Sequence, residues 1–157
     1  MSPIGVYGNK VPYGYARGKR NLIQLPAASG VAFKDLGAKF VVVDANNDVA
    51  LVSDGENHIY GWANVGEFTT TASAGADKIS VDISMKSQYW VPATNGTLAE
   101  AMRGDTCDIA VSVGGIVSAD IGNSADDVLL IVDIDIANSA VLVKIADGKQ
   151  QARTVED

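Results

Sequence analysis

Apolar and polar residues alternate with a period of two over most of the chain from residue 38 onward. In "DKISVDIS" (77–84), for example, Ile79, Val81 and Ile83 alternate with serine and aspartate. This alternation is typical of a strand with one buried and one solvated face. Turn residues separate about eight to ten such runs. We therefore predict an all-β fold, a compact β-sandwich or small β-barrel.

Two hairpins and one short helix are predicted within this body. The runs 38–45 and 48–53 flank two asparagines that suit a tight turn. A longer pair, 127–136 and 139–147, forms the second hairpin, and "GTLAEAMR" (96–103) is the only helical candidate, with Thr97 as its cap. The residues predicted to face the core in the second hairpin are Val128, Leu130, Val132, Ile134, Ile136, Val141, Val143 and Ile145.

The first 34 residues differ from the rest in both composition and charge. They hold five basic residues and no acid before Asp35, so this part carries +5 and the remainder −12, within a net charge of −7. The first 25 residues are also rich in glycine, proline and tyrosine and show no strand periodicity. We therefore predict an extended basic N-terminal arm over residues 1–30, followed by a single β domain over 31–157.

The residue types that enzymes use are scarce in this chain. Cys107 is the only cysteine, so an internal disulfide is excluded. His58 is the only histidine and has no cysteine nearby in the sequence, which disfavours a zinc site or a histidine-based catalytic triad. A single thiol within a strand pattern favours a buried apolar role for Cys107. No nucleophile elbow, phosphate loop or dinucleotide fingerprint is present. We predict that the protein is not an enzyme and needs no cofactor.

A calcium-like spacing occurs at Asp44, Asn46 and Asp48, which match the first three ligand positions of an EF-hand loop. The match fails at the required sharp turn, where Val49 replaces glycine, and at the bidentate position, where Gly55 replaces glutamate. A hairpin turn explains the same residues, so we predict no metal site. No run of apolar residues is long enough to span a membrane, and we expect a soluble protein.

Aromatic residues offer an alternative function, the binding of carbohydrate or another surface. Tyr60, Trp62 and Trp90 are candidates for an exposed stacking platform, although filling the core is the favoured role for the two tryptophans. Nucleic acid is a poorer partner, because the acidic body would repel phosphates. An acidic protein surface suits the basic arm better.

The order of elements resembles that of the capsid decoration (cement) proteins of tailed bacteriophages. The resemblance spans about residues 30–146 and lies in three segments that follow the basic start. These are "GAKFVVVDANNDVALVSDGENHIYGWANVGEF", "YWVPATNGTLAEAMRGDTCDIAVS" and "VLLIVDIDIANSAVLVKIA". The resemblance implies a small β-rich protein without catalytic residues, which reinforces the shell from outside.

The same resemblance implies the partners and the location. The partner is the major capsid protein, self-association is expected with a trimer favoured, and the protein lies on the capsid exterior after assembly in the host cytoplasm. The arm is then the capsid-binding element. Its deletion over residues 1–20 is expected to leave every predicted strand intact. The predicted contact residues of the arm are Tyr7, Lys10, Tyr13, Tyr15, Arg17, Lys19 and Arg20.

Overall fold

Strands dominate residues 13–151, the part of the chain that the computed structural model describes. The all-β prediction is confirmed. Within this range the strands are β1 (Gly14–Arg17), β2 (Leu22–Pro26), β3 (Ala32–Phe33), β4 (Phe40–Val43), β5 (Val49–Leu51), β6 (Gly61–Ala63), β7 (Phe68–Thr69), β8 (Lys78–Asp82), β9 (Gln88–Thr94), β10 (Thr106–Val111), β11 (Val117–Asp120), β12 (Leu129–Asp135) and β13 (Ala140–Ile145).

Five of these strands close into a small barrel. Its order is β9-β11-β10-β12-β13, and β13 pairs back onto β9 to complete the ring. Neighbouring strands are antiparallel except for β9 and β11, which are parallel and connected through β10. Closure leaves no free edge within the ring itself. β1 pairs with the first residues of β9, on the edge of that strand opposite to β13.

The other strands form an open sheet and a short ribbon. The sheet has the order β2-β8-β6-β4-β5, and β3 pairs with β7 in the ribbon. Just beyond β2, Ala27 forms a bridge with Val49 of β5, the opposite edge of the same sheet. The sheet therefore curls until its two edges come close together.

Two apolar clusters hold these layers together. Alternate residues of the open sheet join different clusters: Phe40 and Trp62 pack with the barrel residues, whereas Val41 and Ala63 pack on the opposite face. Phe33 of the ribbon contributes to this second cluster. Because both faces of the open sheet are covered, β4 and β6 read as nearly continuous buried runs.

The first predicted hairpin is confirmed as β4–β5. Asp44 Oδ1 accepts hydrogen bonds from the backbone N–H groups of Asn46 at 2.9 Å and Asp48 at 3.0 Å. Asn47 takes a positive φ of 66°, which asparagine tolerates better than most residues. These contacts account for the calcium-like spacing as a turn.

The second predicted hairpin is confirmed as β12–β13. The predicted inward face of its first strand is correct at Val128 and Ile134 but wrong at Leu130, Val132 and Ile136. A bulge between Ile131 and Asp133 inserts one extra residue opposite β13, so the inward set changes partway along the strand. Leu129, Ile131 and Ile134 are buried, whereas Leu130 and Val132 are half-buried and Ile136 is 51% exposed.

The predicted helix over 96–103 is also wrong. Only a 3-10 turn over Glu100–Met102 forms, and its N-cap is Ala99, without a side-chain cap bond, rather than Thr97. A run of this length is too short to be stable as an α-helix without strong packing, and no residue of the turn is buried. No helix in residues 13–151 is long and apolar enough to cross a membrane.

The predicted boundary of the arm at residue 30 does not match the structure. Residues 13–26, which we call the basic strap, contain β1 and β2. β1 pairs with β9 beside the barrel, and β2 pairs with β8 in the open sheet. A deletion of residues 1–20 would therefore remove β1. Tyr7 and Lys10, the other predicted contact residues of the arm, lie outside the described residues.

Candidate interaction surface on the basic strap

The basic strap crosses from one layer of the molecule to the other. In β1, Gly14 lies opposite Trp90 and Tyr15 opposite Tyr89. In β2, the pairing with β8 runs in continuous register from Leu22 to Pro26. Pairing at both ends fixes the path of the short connection between them. The basic residues lie at the end of β1 (Arg17) and in this connection (Lys19 and Arg20).

Gly18 allows the sharp turn in this connection. Its φ is 100°, a conformation that side chains other than glycine rarely adopt. A Cβ atom at this position would lie 2.1 Å from the backbone oxygen of Lys86. The turn therefore depends on glycine and sits directly against the loop that precedes β9.

A buried carboxylate fastens the end of the turn. Asp82 is 1% exposed and accepts hydrogen bonds from the backbone N–H of Asn21 at 3.0 Å, the N–H of Ser84 at 3.1 Å and the hydroxyl of Tyr89 at 2.5 Å. Asp82 was predicted to lie on a solvated strand face, and it is buried because these three donors satisfy it. Burial, and then the bond to Asp82, raise the pKa of the Tyr89 hydroxyl.

Aromatic contacts join the strap to the core. The ring of Tyr15 meets Tyr89 edge-on, with centroids 6.2 Å apart, and Tyr89 stacks on Trp62 at 4.2 Å. The guanidinium carbon of Arg20 lies 4.3 Å from the centroid of the Tyr15 ring, within cation–π range. The Tyr15 hydroxyl donates to the backbone oxygen of Gly18. Although Tyr15 remains 41% exposed, its side chain is held by these contacts with Tyr89, Arg20 and Gly18.

The three basic side chains of this part of the strap, Arg17, Lys19 and Arg20, are exposed. Arg17 donates from Nε to Gln88 Oε1 at 2.7 Å, and Arg20 makes a longer contact of 3.4 Å with Asn64 Oδ1. Lys19 forms no hydrogen bond with any residue in 13–151. None of the three belongs to a salt bridge within this range. Their positive charge is therefore available to a partner.

Asp133, the barrel acid whose pKa the charge of Arg17 affects, already has a partner. Arg103 donates to Asp133 Oδ1 at 2.9 Å. Partial burial disfavours the charged form of Asp133, but the N–H of Ile134 and the guanidinium of Arg103 outweigh it, and Arg17 adds to the effect. The pKa of Asp133 is therefore lowered. Arg17 is close enough to Asp133 for its charge to affect the pKa of that carboxyl group, but the two side chains form no ion pair.

Tyr13 lies at the start of the strap and is half-buried. Its burial, and then the charge of Asp135, raise the pKa of its hydroxyl. At least part of Tyr13 thus contacts its own domain, so its whole ring cannot serve as an anchor in a partner. The structure brings five of the predicted arm residues together on the strap: Tyr13, Tyr15, Arg17, Lys19 and Arg20.

The predicted carbohydrate platform does not form as one exposed surface. Trp62 is 4% exposed and lies in the core between Tyr89 and Phe40. Tyr60 is half-buried and packs against the second cluster, while Trp90 is half-buried on β9. The prediction that Trp62 fills the core is confirmed.

Neither the cysteine nor the histidine forms part of a reactive cluster. Cys107 is buried, and burial, followed by the charges of Asp108, Asp120 and Asp127, raises the pKa of its thiol to about 12. His58 is exposed, with Nδ1 2.9 Å from Asn57 Oδ1. Within residues 13–151, no group of three or more acidic, histidine or cysteine side chains is arranged to hold a metal ion.

Three residues that support the strap were not identified from the sequence: Asn64, Asp82 and Gln88. Asn64 and Gln88 are neutral and lie 44 and 71 residues from the arginines that they contact. Asp82 occupies a polar position of an alternating strand, which by itself indicates solvent. No local pattern marks any of them.

No protein-family model matches the chain, and no curated protein matches it significantly.

Proposed function

We propose that the chain is a structural virion protein, without enzymatic activity, that binds the outer surface of a tailed-bacteriophage capsid and stabilises the shell. One observation carries the proposal: Arg17, Lys19 and Arg20 are exposed and form no salt bridge within residues 13–151, on a strap that is paired at both ends. Exposed charges that are already positioned favour association with a surface of opposite charge.

The charge of the whole chain narrows the choice of partner. With a net charge of −7, the protein as a whole repels a polyanion such as nucleic acid, while its strap attracts discrete acidic groups. A folded protein surface that bears carboxylates fits both requirements. Under the proposal this surface belongs to the major capsid protein, and the chain associates with itself, a trimer being favoured. The burial of Trp62 argues against the carbohydrate-binding alternative.

Co-sedimentation with empty phage capsids tests the proposal. The test variant replaces Arg17, Lys19 and Arg20 with glutamine. The control replaces Lys34, Lys144 and Lys149, three lysines outside the strap that form no salt bridge within residues 13–151. Both variants change the net charge equally. We expect the test variant to bind about 100-fold more weakly, because three contacts of about 1 kcal/mol each multiply.

The control variant should keep at least most of the wild-type affinity. Equal losses in the two variants would mean that the net charge, rather than the strap, determines binding. Failure of the wild-type protein to sediment with capsids would contradict the proposal itself. Sedimentation equilibrium of the free protein tests the expected trimer separately.

Truncation distinguishes the contribution of the strap to capsid binding from that of the residues that precede it. Deletion of residues 1–12 removes Tyr7 and Lys10 but leaves every strand within residues 13–151 in place. We expect this variant to keep the melting temperature of the full chain and to bind capsids about tenfold more weakly, since about 1.4 kcal/mol corresponds to that factor. Wild-type affinity would assign binding to the strap alone.

A further inference from the structure

The basic residues of the strap are held in two different ways. Lys19 is exposed and has no hydrogen bond within residues 13–151. Arg17 and Arg20, in contrast, contact neutral groups: the Gln88 amide at 2.7 Å for Arg17, and the Asn64 amide at 3.4 Å together with the Tyr15 ring for Arg20. These contacts restrict the arginine side chains without neutralising their charge.

The geometry of these contacts leaves donors free. Arg17 uses only Nε–H toward Gln88, so neither terminal nitrogen is used in that bond. Arg20 places its guanidinium carbon over the Tyr15 ring, and this contact with the ring does not itself use any N–H donor in a hydrogen bond to a carboxylate or carbonyl. Planar guanidinium groups bind carboxylates through two parallel hydrogen bonds, and holding them in place beforehand lowers the entropic cost of binding.

We propose that Arg17 and Arg20 are the residues that bind carboxylates of the partner, and that Gln88, Asn64 and Tyr15 are positioning residues that orient them. The proposal rests on the proposed function for the identity of the partner, a capsid surface bearing aspartate or glutamate side chains. It assigns Tyr15 a different role from the predicted one: its ring supports Arg20 instead of inserting into the shell. Lys19 contributes charge only.

Conservative substitutions distinguish the contribution of the planar guanidinium group to binding from the contribution of its charge. Changing both arginines to lysine, Arg17→Lys with Arg20→Lys, keeps the charge but removes the planar group. We expect this variant to bind empty capsids 10- to 100-fold more weakly, with an unchanged dependence of affinity on salt concentration. Lys19→Arg is the matched control and should bind at least as well as the wild type. Wild-type affinity in the double lysine variant would overturn the proposal.

The positioning role of Tyr15 has its own test. Tyr15→Leu removes the ring but no charge, whereas Tyr15→Phe keeps the ring and loses only the hydroxyl bond to Gly18. We expect Tyr15→Leu to weaken capsid binding about tenfold and Tyr15→Phe to keep the wild-type affinity. The melting temperatures of both variants are recorded. Equal weakening in the two variants would contradict the assigned role of the ring.

A soluble probe distinguishes failure of this inference from failure of the proposed function. The side-chain Nε–Hε signals of Arg17 and Arg20 in the full-length protein are followed by NMR during titration with hexaglutamate, and with hexaglutamine as control. Shifts with hexaglutamate alone support carboxylate binding even if capsids are not bound. Capsid binding without these shifts would overturn the inference and leave the proposed function standing. A stronger response to a dT12 oligonucleotide would overturn the choice of carboxylate over phosphate.

Discussion

The barrel and the basic strap are stabilised in opposite ways. In the barrel, each strand pairs on both sides, and residues such as Val91, Leu129 and Val143 are completely buried. In the strap, every residue from Tyr15 to Leu22 is exposed, and the ends pair with different layers. Apolar burial therefore supports the barrel, whereas a few polar and aromatic contacts support the strap.

This difference separates stability from binding. Changes in the barrel should affect folding and leave the charge of the surface unaltered. Changes at the exposed part of the strap should alter binding while the fold persists. The bond between Asp82 and Tyr89 connects the two regions, since Asp82 also accepts the N–H of Asn21 in the strap.

The largest effect is expected for a charge placed in the barrel core. Ile131→Asp introduces a carboxylate at a buried position within an apolar cluster, and should lower the free energy of unfolding by several kcal/mol. Val132→Asp is the neighbouring control, because Val132 lies at the bulge and is half-buried, so its loss should be clearly smaller. Urea denaturation measures both. A larger loss for Val132→Asp would show that the inward face of β12 is misassigned.

The reactivity of the Cys107 thiol probes the same core from another side. A pKa raised to about 12 leaves very little thiolate near pH 8. We expect native protein to react with a thiol reagent about 1000-fold more slowly than an ordinary exposed cysteine, from burial and pKa together. The urea-unfolded chain is the control and should react at the ordinary rate. Fast labelling of the native protein would indicate that the barrel opens around β10.

The sequence predicted the parts of the fold in which local pattern and tertiary environment agree. The two hairpins were identified because alternation and turn residues lie within one short segment. The bulge in β12 was not, because it depends on the register with β13 and leaves no mark in β12 alone. The run 96–103 has helical spacing, but it is too short to form a helix in the absence of buried contacts.

The strap shows how much of the candidate site could be predicted from the sequence. Its charge was evident from composition, yet its strands were not, because β1 and β2 contain glycine or proline and show little alternation. They form because β9 and β8, whose paired residues lie 52 to 76 positions later in the chain, supply their hydrogen-bond partners. The supporting residues Asn64 and Gln88 lie 44 and 71 residues from the arginines that they contact, so no local pattern reveals them.

An intermediate effect is expected at the connection between the two regions. Tyr89→Phe removes the hydroxyl that bonds to the buried carboxylate of Asp82 and should cost about 1.5 to 3 kcal/mol, the range for hydrogen bonds to charged groups. Tyr60→Phe is the control, because the Tyr60 hydroxyl forms no hydrogen bond in the described part of the chain. Urea denaturation compares them. Equal stability of Tyr89→Phe and the wild type would mean that Asp82 needs only its two backbone donors.

The smallest effect on stability is expected for Lys19→Gln. Lys19 is exposed and has no hydrogen bond or salt bridge within residues 13–151, so the free energy of unfolding should change by less than about 0.5 kcal/mol. Capsid affinity should still fall about fivefold, since one exposed charge contact contributes up to about 1 kcal/mol. Lys149→Gln, a lysine outside the strap, should change neither quantity. Because salt screens exposed charges, the affinities of Lys19→Gln and the wild type should converge as ionic strength rises. A loss of stability in Lys19→Gln without a loss of affinity would contradict the separation of the strap from the barrel.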